Sequence, residues 1–238
     1  MKTHLSKTSA ATKRSSQKSV FVLDDHPITR FGIKELIASE PSLCLAGESD
    51  NAEDTLAKVQ KLPPDILLVD LTLNGRSGLE LIKDLRKVQP EVDILVFSMH
   101  EEAFYAERAL RAGARGYVQK SEGAVLLIQA IHTVLEGKVF VSESVKNQFF
   151  DKMTGRDSDE KSSPIDRLSD RELEVLALVG KAYESKDIAE ELKMSVKTVE
   201  AHRTSIRQKL DIRNRAELVR FAVLWTTEHA ADEVSGMR

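Results

Sequence analysis

The 238-residue sequence is too long for one average domain and comfortable for two, each large enough to bury its own core. With 41% hydrophobic and 31% charged residues and no apolar run near the roughly 20 residues that span a bilayer, it reads as a globular protein of cytoplasmic type. A net charge of −3 excludes a globally basic nucleic-acid binder, and one cysteine, Cys44, excludes an internal disulfide or a multi-cysteine metal site.

Residues 1–18 carry Lys2, Lys7, Lys13, Arg14 and Lys18 with no acidic residue and no apolar segment of the secretory kind, so a disordered, solvated basic tail is expected. Residues 19–137 alternate short apolar runs with amphipathic stretches. The runs are Val20–Leu23, Leu43–Ala46, Ile66–Val69, Ile94–Phe97 and Gly116–Val118. Several are apolar throughout, the pattern of parallel strands covered on both faces. Between them Leu79, Ile82 and Leu85 line one side of a helix. Five strands each followed by a helix predict a doubly wound α/β domain. Cys44 lies in the second run and reads as a small core hydrophobe.

Residues 138–164 read as a short helix and a linker, which from Asp151 to Pro164 is polar, turn-rich and without periodicity. Four helices follow in 165–228, before a tail at 229–238. Ser169-Asp170-Arg171-Glu172 is a capping box, and Asn214 through Glu217 resembles one. Ser185 and Ser195 precede the two middle helices, at roughly 186–192 and 196–210, and are expected to cap them. The short turn between those helices predicts a helix-turn-helix.

Chemistry-bearing residues collect where the strands end, the place where open α/β sheets bind ligands. Asp24 and Asp25 follow the first strand, Asp70 the third, Ser98 ends the fourth and Lys120 follows the fifth. If the strand order is flavodoxin-like, as the resemblance described below implies, strands one and three are neighbours and the three carboxylates converge. Like charges that close together call for a cation. Oxygen ligands without sulfur or imidazole favour Mg²⁺. A metal, a carboxylate nucleophile, a hydroxyl and a lysine make a phosphoryl-transfer site.

Leu23-Asp24-Asp25-His26, Val69-Asp70-Leu71, Phe97-Ser98-Met99-His100 and Gly113 through Lys120 resemble the receiver domain of response regulators. The resemblance implies a flavodoxin-like (βα)5 domain in which Asp70 accepts the phosphoryl group. Asp24, Asp25, Asp70 and the Thr72 carbonyl would hold Mg²⁺, Lys120 would pair with the phosphoryl group, and Ser98 would turn towards it. Tyr117 matches the aromatic position that moves with Ser98 in the family switch. Two departures stand out: Leu73-Asn74-Gly75-Arg76 lacks the proline many receivers carry there, and Ser121 stands where many have another. Thr72 and His100, on the rim, are expected to modulate the lifetime of the phosphoryl group.

Residues 193–220 hold eight basic and three acidic side chains, a local positive patch suited to DNA phosphates. Helical phasing puts Val199, Ile206 and Leu210 on the core side and Lys197, Glu200, Ala201, Thr204 and Gln208 opposite. Near the helix start, Glu200 can accept from a cytosine amino group, Ala201 can meet a thymine methyl, and Lys197 suits guanine or phosphate. Thr198, Arg203, Arg207 and Lys209, at the flanks, are expected to contact phosphates. His202 reads as a packed histidine.

Leu168 through Leu176, Lys186-Asp187-Ile188-Ala189 and Val196 through His202 resemble the LuxR-type helix-turn-helix, and residues 19–227 together are similar to the NarL/FixJ subfamily. This resemblance implies a DNA-binding transcriptional regulator. Phosphorylation of Asp70 by a sensor histidine kinase, a phosphotransfer protein or a small phosphodonor would promote dimerisation, release the C-terminal domain, or both. The partners would be promoter DNA and a second copy of the chain, with Leu218, Phe221 and Trp225 on the dimerising helix. Enzymatic activity would be limited to self-phosphorylation and slow autodephosphorylation. An Asp-nucleophile phosphatase of the haloacid dehalogenase kind would need an acid where Thr72 stands. A dinucleotide-binding enzyme would need glycines where Asp24-Asp25-His26-Pro27 stands. A regulator that works without phosphorylation remains the third alternative.

Overall fold

Each of the five apolar runs forms a strand: β1 (Lys18–Leu23), β2 (Leu43–Ser49), β3 (Ile66–Val69), β4 (Asp93–Ser98) and β5 (Gly116–Gln119). They were placed in a computed structural model that describes residues 17–73, 77–153 and 164–235. Neighbouring strands pair in parallel in the order β2-β1-β3-β4-β5, the flavodoxin-like arrangement. All four residues of β3 are sealed from solvent. Edge strand β2 is covered less completely, leaving Leu45 exposed and Cys44 half-buried rather than inside the core. Lys18, read from sequence as the end of the tail, instead opens β1, where its ammonium meets Asp65 at 2.8 Å. Residues 1–16 lie outside the described residues.

Helices α1 (Pro27–Ser39), α2 (Ala52–Lys61), α3 (Gly78–Val88), α4 (Glu102–Ala112) and α5 (Ala124–Leu135) connect or follow the strands. Pro27 enters α1 at a position whose N–H has no helical partner to lose, and Asn51 caps α2 through the Asp54 N–H at 2.9 Å. Ile33 and Ile37 of α1 and Leu127, Ile131 and Val134 of α5 pack with Val20, Val22, Leu68, Leu95 and Val118. Helix α3 buries Leu79, Ile82 and Leu85, the stripe its periodicity predicts, and Leu81 besides. Tying the helices down this way leaves the carboxyl ends of β1, β3, β4 and β5 as one rim.

By compactness the chain divides in two, residues up to His100 with Ala109–Phe140, and Glu101–Arg108 with Val141 onward. The second unit contains α6 (Glu143–Met153), α7 (Asp170–Gly180), α8 (Ser185–Glu191), α9 (Val196–Lys209) and α10 (Arg215–Ser235). The core of the expected linker, residues 154–163, falls outside the described residues. Helix α7 packs on α9 and α10, and α8 on α9. The shared core includes Leu173, Leu176, Val179, Ile188, Val199, Ile206, Leu218 and Ala222. Among the described residues no helix is long and apolar enough to cross a membrane.

Caps follow the sequence in three of four places. Ser169 and Glu172 form the reciprocal box, Ser195 accepts from Thr198 N at 3.0 Å, and Asn214 accepts from Glu217 N at 2.9 Å. Ser185 is the exception. Glu184 occupies the cap of α8, with Asp187 reaching back to its N–H, and the Ser185 hydroxyl is free to point elsewhere.

Candidate functional site

Strand register brings the carboxylates together. Leu23 pairs with Val69, so Asp24 and Asp70 leave adjacent strands at the same level. Ser98 pairs with Gln119, one residue before Lys120. These groups are deeply covered: Asp24, Asp70 and Ser98 are 1%, 3% and 0% exposed, and the Lys120 side chain is 8% exposed. The Lys120 ammonium lies 2.6 Å from both Asp24 Oδ2 and Asp70 Oδ2. Asp25 and the His26 ring complete the cluster, with ligand atoms of Asp24, Asp25, His26 and Asp70 all within 4.8 Å of one another.

Charge in this cluster is poorly balanced. Three carboxylates face one buried ammonium, with the His26 ring 2.9 Å from Asp25 at the outer edge. Burial raises the Asp70 carboxyl above its ordinary range; Lys120 pulls it back and Asp24 pushes it further. Burial also works against the Lys120 charge, but Asp70 and Asp24 outweigh it and hold the ammonium above its usual value. Three carboxylates with an excess of negative charge fit a hard divalent cation, and the oxygen-rich donor set favours Mg²⁺ over softer metals.

The supporting contacts were mostly invisible in the sequence. Asp70 Oδ1 accepts from the Thr72 N–H at 3.2 Å, and Asp24 Oδ1 from the His26 N–H at 2.7 Å. Arg30, one turn into α1, donates to the Asp24 carbonyl at 2.6 Å. Thr72 Oγ1 and His100 Nε2 are 2.9 Å apart, which joins the two rim residues singled out from sequence. The His100 carbonyl accepts from the Tyr117 hydroxyl at 2.9 Å, and its N–H donates to Ser98 Oγ at 3.3 Å. Tyr117 is therefore an inward, buried residue whose hydroxyl is bonded to the segment following Ser98. Gly78 was also missed. A β-carbon there would sit 2.4 Å from the Asp70 carbonyl oxygen, so only glycine lets α3 start this close to Asp70. Asn74, a noted departure, lies outside the described residues.

On the second unit, Lys197, Thr198, Ala201 and Thr204 stand exposed on α9, and Val199 and Ile206 are buried as phased. His202 is half-buried, and burial lowers its imidazole below the ordinary value. Arg207 is half-buried. Three other side chains have partners within the unit that the sequence did not show. Arg203, assigned to a flank, is only 5% exposed and turns inward to Ser185. The Lys209 ammonium is held by Glu172 Oε2 at 2.6 Å. Glu200 pairs with Arg215 at 3.1 Å and accepts from the Ser185 hydroxyl.

Of the residues expected on the dimerising helix, Leu218 and Trp225 are buried and Phe221 is half-buried, and α10 packs on α7. Among the described side chains of α10, Val219, Val223 and Leu224 are large apolar residues left exposed.

Residues 20–132 match the model of the response regulator receiver domain, and residues 166–222 that of the bacterial regulatory proteins of the luxR family. The oxygen regulatory protein NreC of Staphylococcus carnosus is 35% identical over 86% of this chain and 96% of its own. RcsB from Salmonella enterica serovar Typhimurium, solved on the promoter P1flhDC with the phosphomimetic BeF3−, is similar with a TM-score of 0.57. Its identity is 26%, covering 87% of this chain and 98% of that one. A structure of two RcsB dimers on two parallel DNAs gives a TM-score of 0.53 at 28% identity, over 86% and 97% of the chains. The acidic rim thus falls within the first matched region and helices α7, α8 and α9 within the second, and the chain belongs to the response regulators that join a receiver domain to a LuxR-type helix-turn-helix.

Proposed function

We propose that this chain is a DNA-binding transcriptional regulator whose C-terminal helix-turn-helix is controlled by phosphorylation of Asp70. One observation carries the reading: Lys120 bridges Asp24 and Asp70 at 2.6 Å each, at the carboxyl ends of a parallel sheet. This joins a nucleophilic carboxylate, a fixed cation and a second acid in one pocket. An Asp70 oxygen forms a bond to phosphorus as the donor's bond to phosphorus breaks, and the donor leaves with the electron pair. The donor would be a phosphohistidine on a sensor kinase or phosphotransfer protein, or a small phosphodonor.

Asp24, Asp25, Asp70 and the Thr72 carbonyl would hold Mg²⁺, which when bound neutralises charge on the transferring group. Lys120 pairs with the phosphoryl oxygens, exchanging one oxyanion for another without leaving its place. Ser98 offers its hydroxyl to the same group. Tyr117 is bonded to the backbone at His100, so a shift of the segment after Ser98 is transmitted to the Tyr117 ring. That coupling is the basis for Ser98 and Tyr117 as the switch pair.

RcsB bound to promoter DNA in the presence of a phosphomimetic, and RcsB dimers bound to DNA, support DNA as partner of Lys197, Thr198, Glu200, Ala201 and Thr204 and a homodimer as the active form here. Half-site binding by a dimer makes weak individual contacts effective. Selection from randomised duplex DNA, with and without phosphodonor, tests the reading. Wild type is expected to enrich one operator more strongly when phosphorylated, and Asp70→Asn to lose the response. Equal DNA affinity in all four arms would refute phospho-control.

A further inference from the structure

In the second unit a polar network surrounds a single carboxylate on the exposed half of α9. Glu200 Oε1 accepts from the Ser185 hydroxyl of α8 and from Arg215 Nη2 of α10 at 3.1 Å, and Arg203 Nη1 lies 3.8 Å away. The Ser185 oxygen in turn accepts from Arg203 and from Arg215, the latter at 3.1 Å. Ser185 and Arg203 are 7% and 5% exposed, so the base of the network is buried. Its outer end is open: the Glu200 side chain is 46% exposed, and Oε2 accepts from no donor among the described residues.

A glutamate on an open helix face samples many rotamers, and ordering it on binding costs affinity and blurs discrimination. Glu200 is already ordered, by groups from three helices. Its contacts with Ser185, Arg215 and Arg203 also hold its carboxyl below the ordinary range, so it is an acceptor at any physiological pH. Ala201 and Thr204 share its exposed side and are short enough to let a groove wall approach. The amino group of cytosine is the donor that a carboxylate reads in the major groove.

We propose that Ser185 and Arg215, backed by buried Arg203, are positioning residues that hold Glu200 as a preset acceptor selecting cytosine at one position of the operator half-site. The inference rests on α9 being the helix that enters DNA. It differs from a plain contact assignment because Ser185 is buried and touches no base, yet controls a base preference.

The test uses the full phosphorylated chain and the duplex it selects from randomised DNA, with each of the four bases placed at every half-site position in turn. Wild type is expected to prefer cytosine at one position by roughly tenfold or more. Glu200→Ala should level that preference alone. Ser185→Ala and Arg215→Gln should weaken it severalfold at the same position, leaving other positions unchanged. Ser185→Thr, which keeps the hydroxyl, should retain it. Melting curves identify any unfolded variant, and Arg215→Gln, at an exposed side chain, carries the test if Ser185→Ala does not fold. Unchanged base preference in Ser185→Ala and Arg215→Gln would overturn the proposal, as would unchanged preference in Glu200→Ala. Uniform loss over all duplexes with a shallower salt dependence would make Arg215 a phosphate contact and overturn it too. If wild type enriches no sequence, the DNA-binding reading itself fails, a result distinct from all of these.

Discussion

His100 makes three contacts that meet at the phosphorylation rim: its ring with the Thr72 hydroxyl, its N–H with Ser98 and its carbonyl with Tyr117. The ring contact fixes the side chain of Thr72, whose own N–H donates to Asp70 Oδ1. His100→Ala should free Thr72, loosen the loop beside Asp70 and speed loss of the phosphoryl group by roughly fivefold, the equivalent of one hydrogen bond of about 1 kcal/mol. Following decay of the phosphorylated protein measures this directly; equal rates would remove His100 from the account. At this scale the chemistry was legible because strand ends can be read from apolar runs, and Asp24, Asp25, Asp70, Ser98 and Lys120 all stand at strand ends. The Thr72–His100 contact was not, since it depends on the distance between two loops that only the sheet sets.

Among the elements, α3 and α7 show how one residue sets a helix in place. Gly78 starts α3 against the backbone of Asp70 and Leu71, with room for no β-carbon. Backbone cannot yield as a side chain does, so Gly78→Ala should cost about 1–3 kcal/mol and slow phosphorylation of Asp70. Thermal unfolding and phosphoryl incorporation would read the two effects, and wild-type values in both would contradict the packing argument. Glu172 closes the capping box of α7 while binding Ser205 and Lys209 of α9 at 2.6 Å each. Although burial opposes its charge, hydrogen bonds from Lys209, Ser205 and Ser169 bring its carboxyl down to about 2, from 4.5. A depressed carboxyl stabilises the fold fully above its unfolded value and loses that contribution as pH falls from about 4.5 through about 2. Glu172→Gln should therefore lower stability by about 2 kcal/mol at neutral pH, and the gap from wild type should close towards pH 2. A gap independent of pH in denaturant titrations would show that the charge is not what matters. The box was legible from its four-residue motif, but its tie to α9 was not.

For the whole molecule, phosphorylation alters DNA binding only if one oligomeric or conformational state binds the modified Asp70, or the DNA, more favourably than the other. If dimerisation is that difference, phosphodonor should move wild type from monomer to dimer in sedimentation velocity while Asp70→Asn stays monomeric. An unchanged profile together with improved DNA binding would favour release of the C-terminal domain instead. The amino-acid sequence by itself determined the five-stranded α/β pattern, the helices after residue 164, most of their caps, and the carboxylate–hydroxyl–lysine set at the strand ends. These follow from local periodicity and from the rule that ligands meet the carboxyl ends of parallel strands. Tertiary structure alone decided that Arg203 is buried, that Ser185 serves Glu200 rather than its own helix, and that Leu218 and Trp225 belong to the core. Periodicity tells which face of a helix is apolar or charged, but what that face meets depends on helices distant in sequence.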